Sequence, residues 1–385
     1  MRVNKLRLKL RADLESPAEQ RRVGTGWISG VAAFLLAVAG LLLVLCMRFP
    51  AFLTVPPLRS YYQSSGFRIA LDGLLIVAFA LAIVSLLLRA NKILGFTSIF
   101  IVLVATIIGA ARIESNGDLT GGVFLGLDWF VLNVIFTGFL FIPLERLFSR
   151  IEGQPLFRAE WREDLFYYLV SSLLVQVLTF ISMAPAIALL AHTHWTSLRA
   201  AVGVQPVVLQ VIEIMFLTDL VQYWVHRLFH RVPMLWKFHA VHHSAKTLDW
   251  MAGARMHFLE IIVLRGTTVI PMYIFGFGAV ALHVYILLVY IHSSLVHANI
   301  GWNFDHIGRF LVTPRFHHWH HGIDKEAIDV NFAVHFPLFD RLFGTYHLPA
   351  GQWPSGYGIE NHPVPQGYWR QLLYPFQGDK REYNQ

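Results

Sequence analysis

The stretch HRLFHRVPMLWKFHAVHH, residues 226–243, puts five histidines into eighteen positions, and HHWHH follows at 317–321. Residues three or four apart on a helix share a face. His226 and His230 are four apart; His239, His242 and His243 are spaced by three and four, and so are His317, His320 and His321. Each packet therefore aims its imidazoles one way from a helical turn. His318, rotated about 100° from His317 by the helical period, is expected to face elsewhere. Eight converging imidazoles exceed what one metal ion accepts, and suit two ions with about four or five ligands each. A lone histidine pair at this spacing is ordinary on a helix; three such packets are not.

The rest of the chain is greasy. Of 385 residues, 55% are hydrophobic and only 14% charged, far from the balance of a soluble domain. A helix needs about 20 apolar residues to cross a bilayer. Stretches 27–47, 69–88, 93–111, 124–143, 165–190 and 207–225 meet that length or come close. The apolar region 261–291 is interrupted by Arg265, Pro271, Gly276 and Gly278 and reads as a helical hairpin. The first span is too long for a cleavable signal peptide and follows a basic lead without a small-residue cleavage site. The composition predicts an all-α, polytopic integral membrane protein.

The net charge of +7 is explained by topology rather than by nucleic acid. Arg2, Lys5, Arg7, Lys9, Arg11, Arg21 and Arg22 precede the first span, and Arg146, Arg150, Arg158 and Arg162 follow the fourth. Short basic loops mark the cytoplasmic side. With the N-terminus there, loop 112–122 (Arg112) falls outside, as does loop 48–68, against the charge rule with its three arginines. Span six then returns the chain to the cytoplasm just before His226. The hairpin brings His297 and the 317–321 packet out on the same face, so every packet lands on one side. A metal site requires that.

Residues 1–150 hold no histidine, whereas 226–347 hold sixteen of the nineteen. The polar stretch 149–164 links the two parts. Residues 1–150 read as a membrane accessory region of about four transmembrane helices, residues 151–350 as the working domain, and 351–385 as a cytoplasmic tail. A single cysteine, Cys46, excludes an intrachain disulfide, a cysteine-ligated iron–sulfur cluster and a multi-cysteine zinc site. Imidazole alone leaves zinc, copper, iron and nickel open. A hydrolytic zinc site of the HExxH kind carries a glutamate base; here Arg227 follows His226. His192, His194, His283, His306, His335, His347 and His362 are scattered and read as structural.

The packets and the phrases around them resemble the fatty acid hydroxylase/sterol desaturase superfamily over about 207–350. The motifs are HxxxH, HxxHH and a second HxxHH, in that order, with DLVQYWVHRLFH, ARMHFLE, HANIGWNF, TPRFHHWHHG and DVNFAVHFPLFDRLFGTY around them. The resemblance implies a transmembrane helical core with a cytoplasmic helical cap that holds a histidine-rich dimetal site. It implies two non-haem iron ions, dioxygen as co-substrate, and oxygen-dependent hydroxylation or desaturation of a C–H bond in a membrane lipid. Electrons would come from a separate electron-transfer protein or reductase. By motif match His226, His230, His239, His242, His243, His297, His317, His320 and His321 are its ligands. His257, in ARMHFLE, and His292, five residues before His297, are further candidates. Asp219, Asp329 and Asn331 are candidates to accept the outer N–H of a ligating imidazole. The alternative from another class is a non-catalytic membrane metal binder or transporter. It would want polar residues along the spans, and spans five and six offer only Gln176, Gln210, Glu213, Asp219 and Gln222.

Overall fold

The computed structural model describes residues 2–110, 122–191, 195–302, 304, 306–359 and 364–377. His192, His194, His362, Arg112 and the end of the tail lie outside them. Among the described residues the chain is helical, without strands; Ser149–Ile300 and Gly322–Tyr357 are isolated bridges. The helices used below are α1 (Arg2–Leu14), α2 (Trp27–Arg48), α3 (Ser65–Leu88), α4 (Ile93–Ala110), α5 (Leu127–Leu147), α6 (Trp161–Leu173), α7 (Val175–Ala191), α8 (Val207–Arg231), α9 (Pro233–His243), α10 (Phe258–Phe275), α11 (Ala279–His297) and α12 (Pro314–His320). Six of them, α2, α3, α5, α8, α10 and α11, are long and apolar enough to cross a membrane. This is a multi-pass membrane protein.

Two sequence expectations are refined and a third is met. The stretch 93–111 gives α4, a shorter apolar helix. The expected span 165–190 is two helices, α6 and α7, bent by 64°. Just before the break the Ser171 hydroxyl bonds back to the Tyr167 and Tyr168 carbonyls, a competition with the helix ladder that favours bending. The hairpin 261–291 is α10 and α11, joined where expected. Gly276 there has φ +68° and Arg199 packed against it, so a side chain would be strained and crowded.

Two compact units divide the chain. One comprises Met1–Ile135 with Pro155–Ala159 and Ser172–Gln176; the other holds the remainder. In the first, α2, α3 and α4 pack through small residues, with Ala37, Ala78 and Ala105 fully buried, which lets helix backbones approach closely without a hydrophobic driving force. The buried Arg89, on the turn after α3, is paired with Asp13.

The second unit contains every histidine packet. α8 ends at Arg231, and Val232 adopts an extended conformation before Pro233, the first residue of α9. Proline disfavours helix in the residue before it and suits the first helical turn. The chain is thereby forced to turn between the first two packets, and α9 folds back against the end of α8. Farther on, Thr313 caps α12 by accepting from the Phe316 N–H, with Pro314 in the first turn.

Two buried carboxylates hold the segment after α12. Asp219 on α8 accepts the backbone N–H groups of Val334 (2.7 Å), His335 (3.1 Å) and Phe336 (2.6 Å). Asp340 accepts those of Phe332 (2.8 Å) and Ala333 (2.9 Å) and the Thr345 hydroxyl (2.7 Å). Hydrogen bonds to a charged acceptor contribute more than neutral ones. Asp219→Ala is expected to lower the stability of this unit by roughly 2–4 kcal/mol, read as the denaturation midpoint in detergent. An unchanged midpoint would mean that other contacts hold the segment.

Candidate metal centre

The helices deliver nine histidines to two adjoining groups. His226, His230, His239, His243 and His320 form one; His242, His297, His317 and His321 form the other. Within each group one nitrogen per ring lies within 4.8 Å of all the others. The two groups meet where the His243 and His321 rings stack with centroids 4.3 Å apart. Both packets with adjacent histidines straddle the divide. His243 and His320 belong to the first group, His242 and His321 to the second. The sequence expectation that each packet aims one way therefore needs correction: neighbouring residues differ by about 100° on a helix, and the two groups lie on either side of that angle.

Outer hydrogen bonds decide which nitrogen each ring presents. A carbonyl can only accept, so a neutral imidazole facing one must carry its proton there. His226 Nδ1 lies 2.8 Å from the Phe332 carbonyl, and His320 Nδ1 2.8 Å from that of Val330. His242 Nδ1 lies 3.0 Å from the Arg255 carbonyl, and His297 Nδ1 2.7 Å from that of Ser293. All four rings are thus left with a bare Nε2 turned to the centre. His239 Nδ1 faces the Glu260 carboxylate at 2.5 Å, the carboxylate–imidazole arrangement that supports ligating histidines.

The inner nitrogens crowd one another. His226 and His239 Nε2 are 2.9 Å apart, His242 and His297 3.3 Å, and His297 and His317 3.0 Å. Between His242 and His297 neither nitrogen has a proton to share, so two lone pairs oppose each other. The inner nitrogen of His230, Nε2, is buried with no partner among the described residues. A cation relieves both defects. Two imidazole nitrogens on one ion at about 2.1 Å lie no more than about 4.2 Å apart, so groups spanning 4.8 Å need contract only slightly. An all-imidazole donor set suits iron, copper, zinc or nickel.

Burial acts in the same direction. His239, His242, His243, His317, His320 and His321 are held well below the ordinary histidine value of 6.5, first by burial and then by neighbouring imidazoles. They stay neutral, the form that binds metal.

Other expected residues are placed differently. His257 caps α10, accepting from the Leu259 N–H, and its Nε2 faces the Leu372 carbonyl; it enters neither group because its ring is used as a cap. His292 also stays outside, its Nε2 2.9 Å from the Val312 carbonyl. His318 faces away, as expected, onto the Tyr357 hydroxyl at 2.6 Å. Asp219 touches no imidazole of the groups; both its oxygens serve the backbone of 334–336. Asn331 likewise braces loops, donating to the Phe316 and His347 carbonyls. Asp329 does approach a group histidine, His230 Nδ1, at 3.4 Å. The sequence reading missed Glu260. Its signal was an acid in the first turn of an apolar helix, which the helix dipole favours and which burial would make costly without a partner. Behind the site Arg255, fully buried, pairs with Asp164 at 2.5 Å and Glu160 at 3.3 Å, fixing the loop whose carbonyl meets His242.

The fatty acid hydroxylase family model matches residues 211–345, which include all nine histidines. Over that stretch, about a third of its length, the chain is similar to the fatty acid hydroxylase family. Among its relatives is an ornithine lipid hydroxylase of Rhizobium tropici, 30% identical over 44% of this chain and 51% of that protein. The alkylglycerol monooxygenase of Homo sapiens is 30% identical over 38% of this chain and 32% of its own length. A Dictyostelium discoideum protein provisionally named a methylsterol monooxygenase is 27% identical over 59% of this chain and 83% of its own length. The match thus spans about half of the first of these relatives and a third of the second. No solved structure matches the chain.

Two measurements check this centre. Glu260→Gln weakens the hold on His239 and is expected to lower metal affinity by about 10–100-fold in chelator competition. Affinity equal to the parent's would remove Glu260 from the site. Separately, the metal-free fold excludes protons that its histidines accept near pH 6.5 once unfolded. Its stability is therefore full above about 6.5 and falls as the pH drops below it, by up to about 1.4 kcal/mol per pH unit for each histidine. The denaturation midpoint between pH 7.5 and 5.5 (roughly one unit either side of that value) reads the slope, and a flat profile would mean solvated rings.

Proposed function

We propose that this chain is a membrane-bound non-haem di-iron oxygenase that hydroxylates or desaturates a C–H bond of a membrane lipid. The observation that carries this is the pair of adjoining all-histidine groups, five and four strong, with inner nitrogens bared by their outer partners. His226, His230, His239, His243 and His320 would hold one iron, and His242, His297, His317 and His321 the other. Bound iron would supply the activation of dioxygen and the attack on an unactivated C–H bond. The chain's own part is to hold nitrogen donors rigidly, keep them neutral, and screen them from water. The Phe332, Val330, Arg255 and Ser293 carbonyls hold ring orientation, and Glu260 makes His239 a stronger donor. Asp329 would restrain His230.

The relatives' names support a lipid substrate, since they act on an ornithine lipid, alkylglycerols and, provisionally, a methylsterol. The apolar spans support entry from the bilayer. Electrons would come from a separate reductase or electron-transfer protein. The basic segments before the first span and after the fourth favour a cytoplasmic N-terminus, with the histidines on that same side. Residues 151–350 would form the catalytic domain and 1–150 its membrane accessory region.

His239→Ala or His320→Ala in full-length protein is expected to abolish reductant-driven oxygen uptake with a lipid extract while leaving membrane insertion intact. Lipid mass spectrometry should then lose a product shifted by about +16 or −2 mass units, the signatures of hydroxylation and desaturation. Full uptake in either variant sinks the assignment.

A further inference from the structure

Among the histidines outside the metal groups, four keep a buried ring nitrogen with no hydrogen-bond partner among the described residues: Nε2 of His318 and His347, which lie apart, and Nδ1 of His292 and of His335, whose rings are neighbours. His292 lies on α11, five residues and so about 7.5 Å of helix axis before His297. Its Nε2 faces the Val312 carbonyl at 2.9 Å and must carry the ring proton, which leaves Nδ1 a bare acceptor. His335 is 1% exposed, and its ring centroid lies 5.5 Å from that of His292. The Val312 N–H donates to the His335 carbonyl at 2.8 Å, so one residue, Val312, ties the two histidines together.

A short relay settles the second ring. Thr218 donates its hydroxyl proton to the Ile214 carbonyl at 2.6 Å. Tyr285 donates its own to Thr218 at 2.9 Å, which leaves the Tyr285 oxygen to accept from His335 Nε2 at 3.4 Å. The His335 proton therefore sits on Nε2, and its Nδ1 is bare as well. Burial drives the ring to about 3, so it does not acquire a second proton of its own. Leaving a buried acceptor unmet is costly, and here one is unmet on each of two neighbouring rings.

We propose that His292 and His335 form an acceptor subsite for a hydrogen-bond donor, a hydroxyl or ammonium group, carried by the lipid substrate. Two nitrogens without a third ligand do not make a metal site, because both oxygens of nearby Asp219 are taken by backbone N–H groups. His292 is only part-buried, on a spanning helix whose Ile286, Leu287 and Leu288 stay exposed; both Nδ1 atoms are themselves buried, so a donor from the lipid side would reach them by displacing the side chains that cover them. Anchoring a polar group a turn and a half of helix from His297 would set which carbon of the attached chain reaches the metal groups. The substrate role rests on the oxygenase reading above; the binding itself does not.

The test is equilibrium binding without turnover. Full-length, zinc-loaded protein in phosphatidylcholine nanodiscs is titrated with hexadecanol, hexadecylamine and hexadecyl methyl ether, which keeps the chain but has no donor. The parent protein is expected to bind the alcohol or the amine roughly tenfold more tightly than the ether, the worth of about one buried hydrogen bond. His292→Leu and His335→Leu should lose that preference while retaining zinc, and His335→Gln, whose amide oxygen still accepts, should keep part of it. Equal binding of alcohol, amine and ether by the parent overturns the proposal and marks the pair as holding an ordered water. A preference that survives both leucine variants overturns it too. Failure of oxygen uptake would leave this preference untouched, so the two readings fail separately.

Discussion

Four backbone carbonyls, those of Phe332, Val330, Arg255 and Ser293, decide which nitrogen four of the central imidazoles present. A neutral imidazole has one proton, and a carbonyl on its outer edge claims it. The inner edge is then a lone pair with nowhere to donate. Repeated around a buried centre, this makes a cavity wall of bare nitrogens that is unfavourable by itself and favourable around cations. The rest of the unit serves to keep those carbonyls in place.

That service has identifiable parts. Asp219 and Asp340 gather five backbone N–H groups of 332–336, so the Phe332 carbonyl cannot drift from His226. Asp329 and Asn331, on either side of Val330, adopt left-handed backbone with φ of 61° and 58°. Such conformations are strained for residues other than glycine, though least so for Asp and Asn. The alternation turns the Val330 carbonyl to His320 while the Asn331 side chain braces two neighbouring carbonyls. Arg255 is locked by two carboxylates, which fixes its own carbonyl against His242. Ser293 needs no such support, because it sits one helical turn before His297 on the same helix.

Much of this could be read along the chain, and the reasons differ by residue. The spans follow from apolar length, and the hairpin from Gly276 and Gly278. His318 was separable from its neighbours because helical rotation is a local property. The roles of His257 and Asp219 were not separable in this way. A histidine at a helix start can cap or ligate with equal spacing, and only the Leu259 N–H beneath the His257 ring decides. An aspartate one turn and more before a histidine box looks like a partner for an imidazole until the 334–336 segment, more than a hundred residues later, claims both its oxygens. Glu260 was overlooked for the complementary reason, since it lies twenty-one positions from His239 and meets it only after α9 and α10 pack.

By itself, then, the amino-acid order determined most of the helices, their membrane character and eight candidate nitrogen donors, because hydrophobic length and the helical period act over a few neighbouring residues; the ninth candidate, His297, rested on the family resemblance. Only the tertiary structure decided how those donors divide into five and four, which outer acceptor sets each ring, and that His292 pairs with His335 rather than joining them. Those outcomes depend on hydrogen bonds between segments far apart in the chain, and a one-dimensional pattern carries no record of which carbonyl will stand behind which ring.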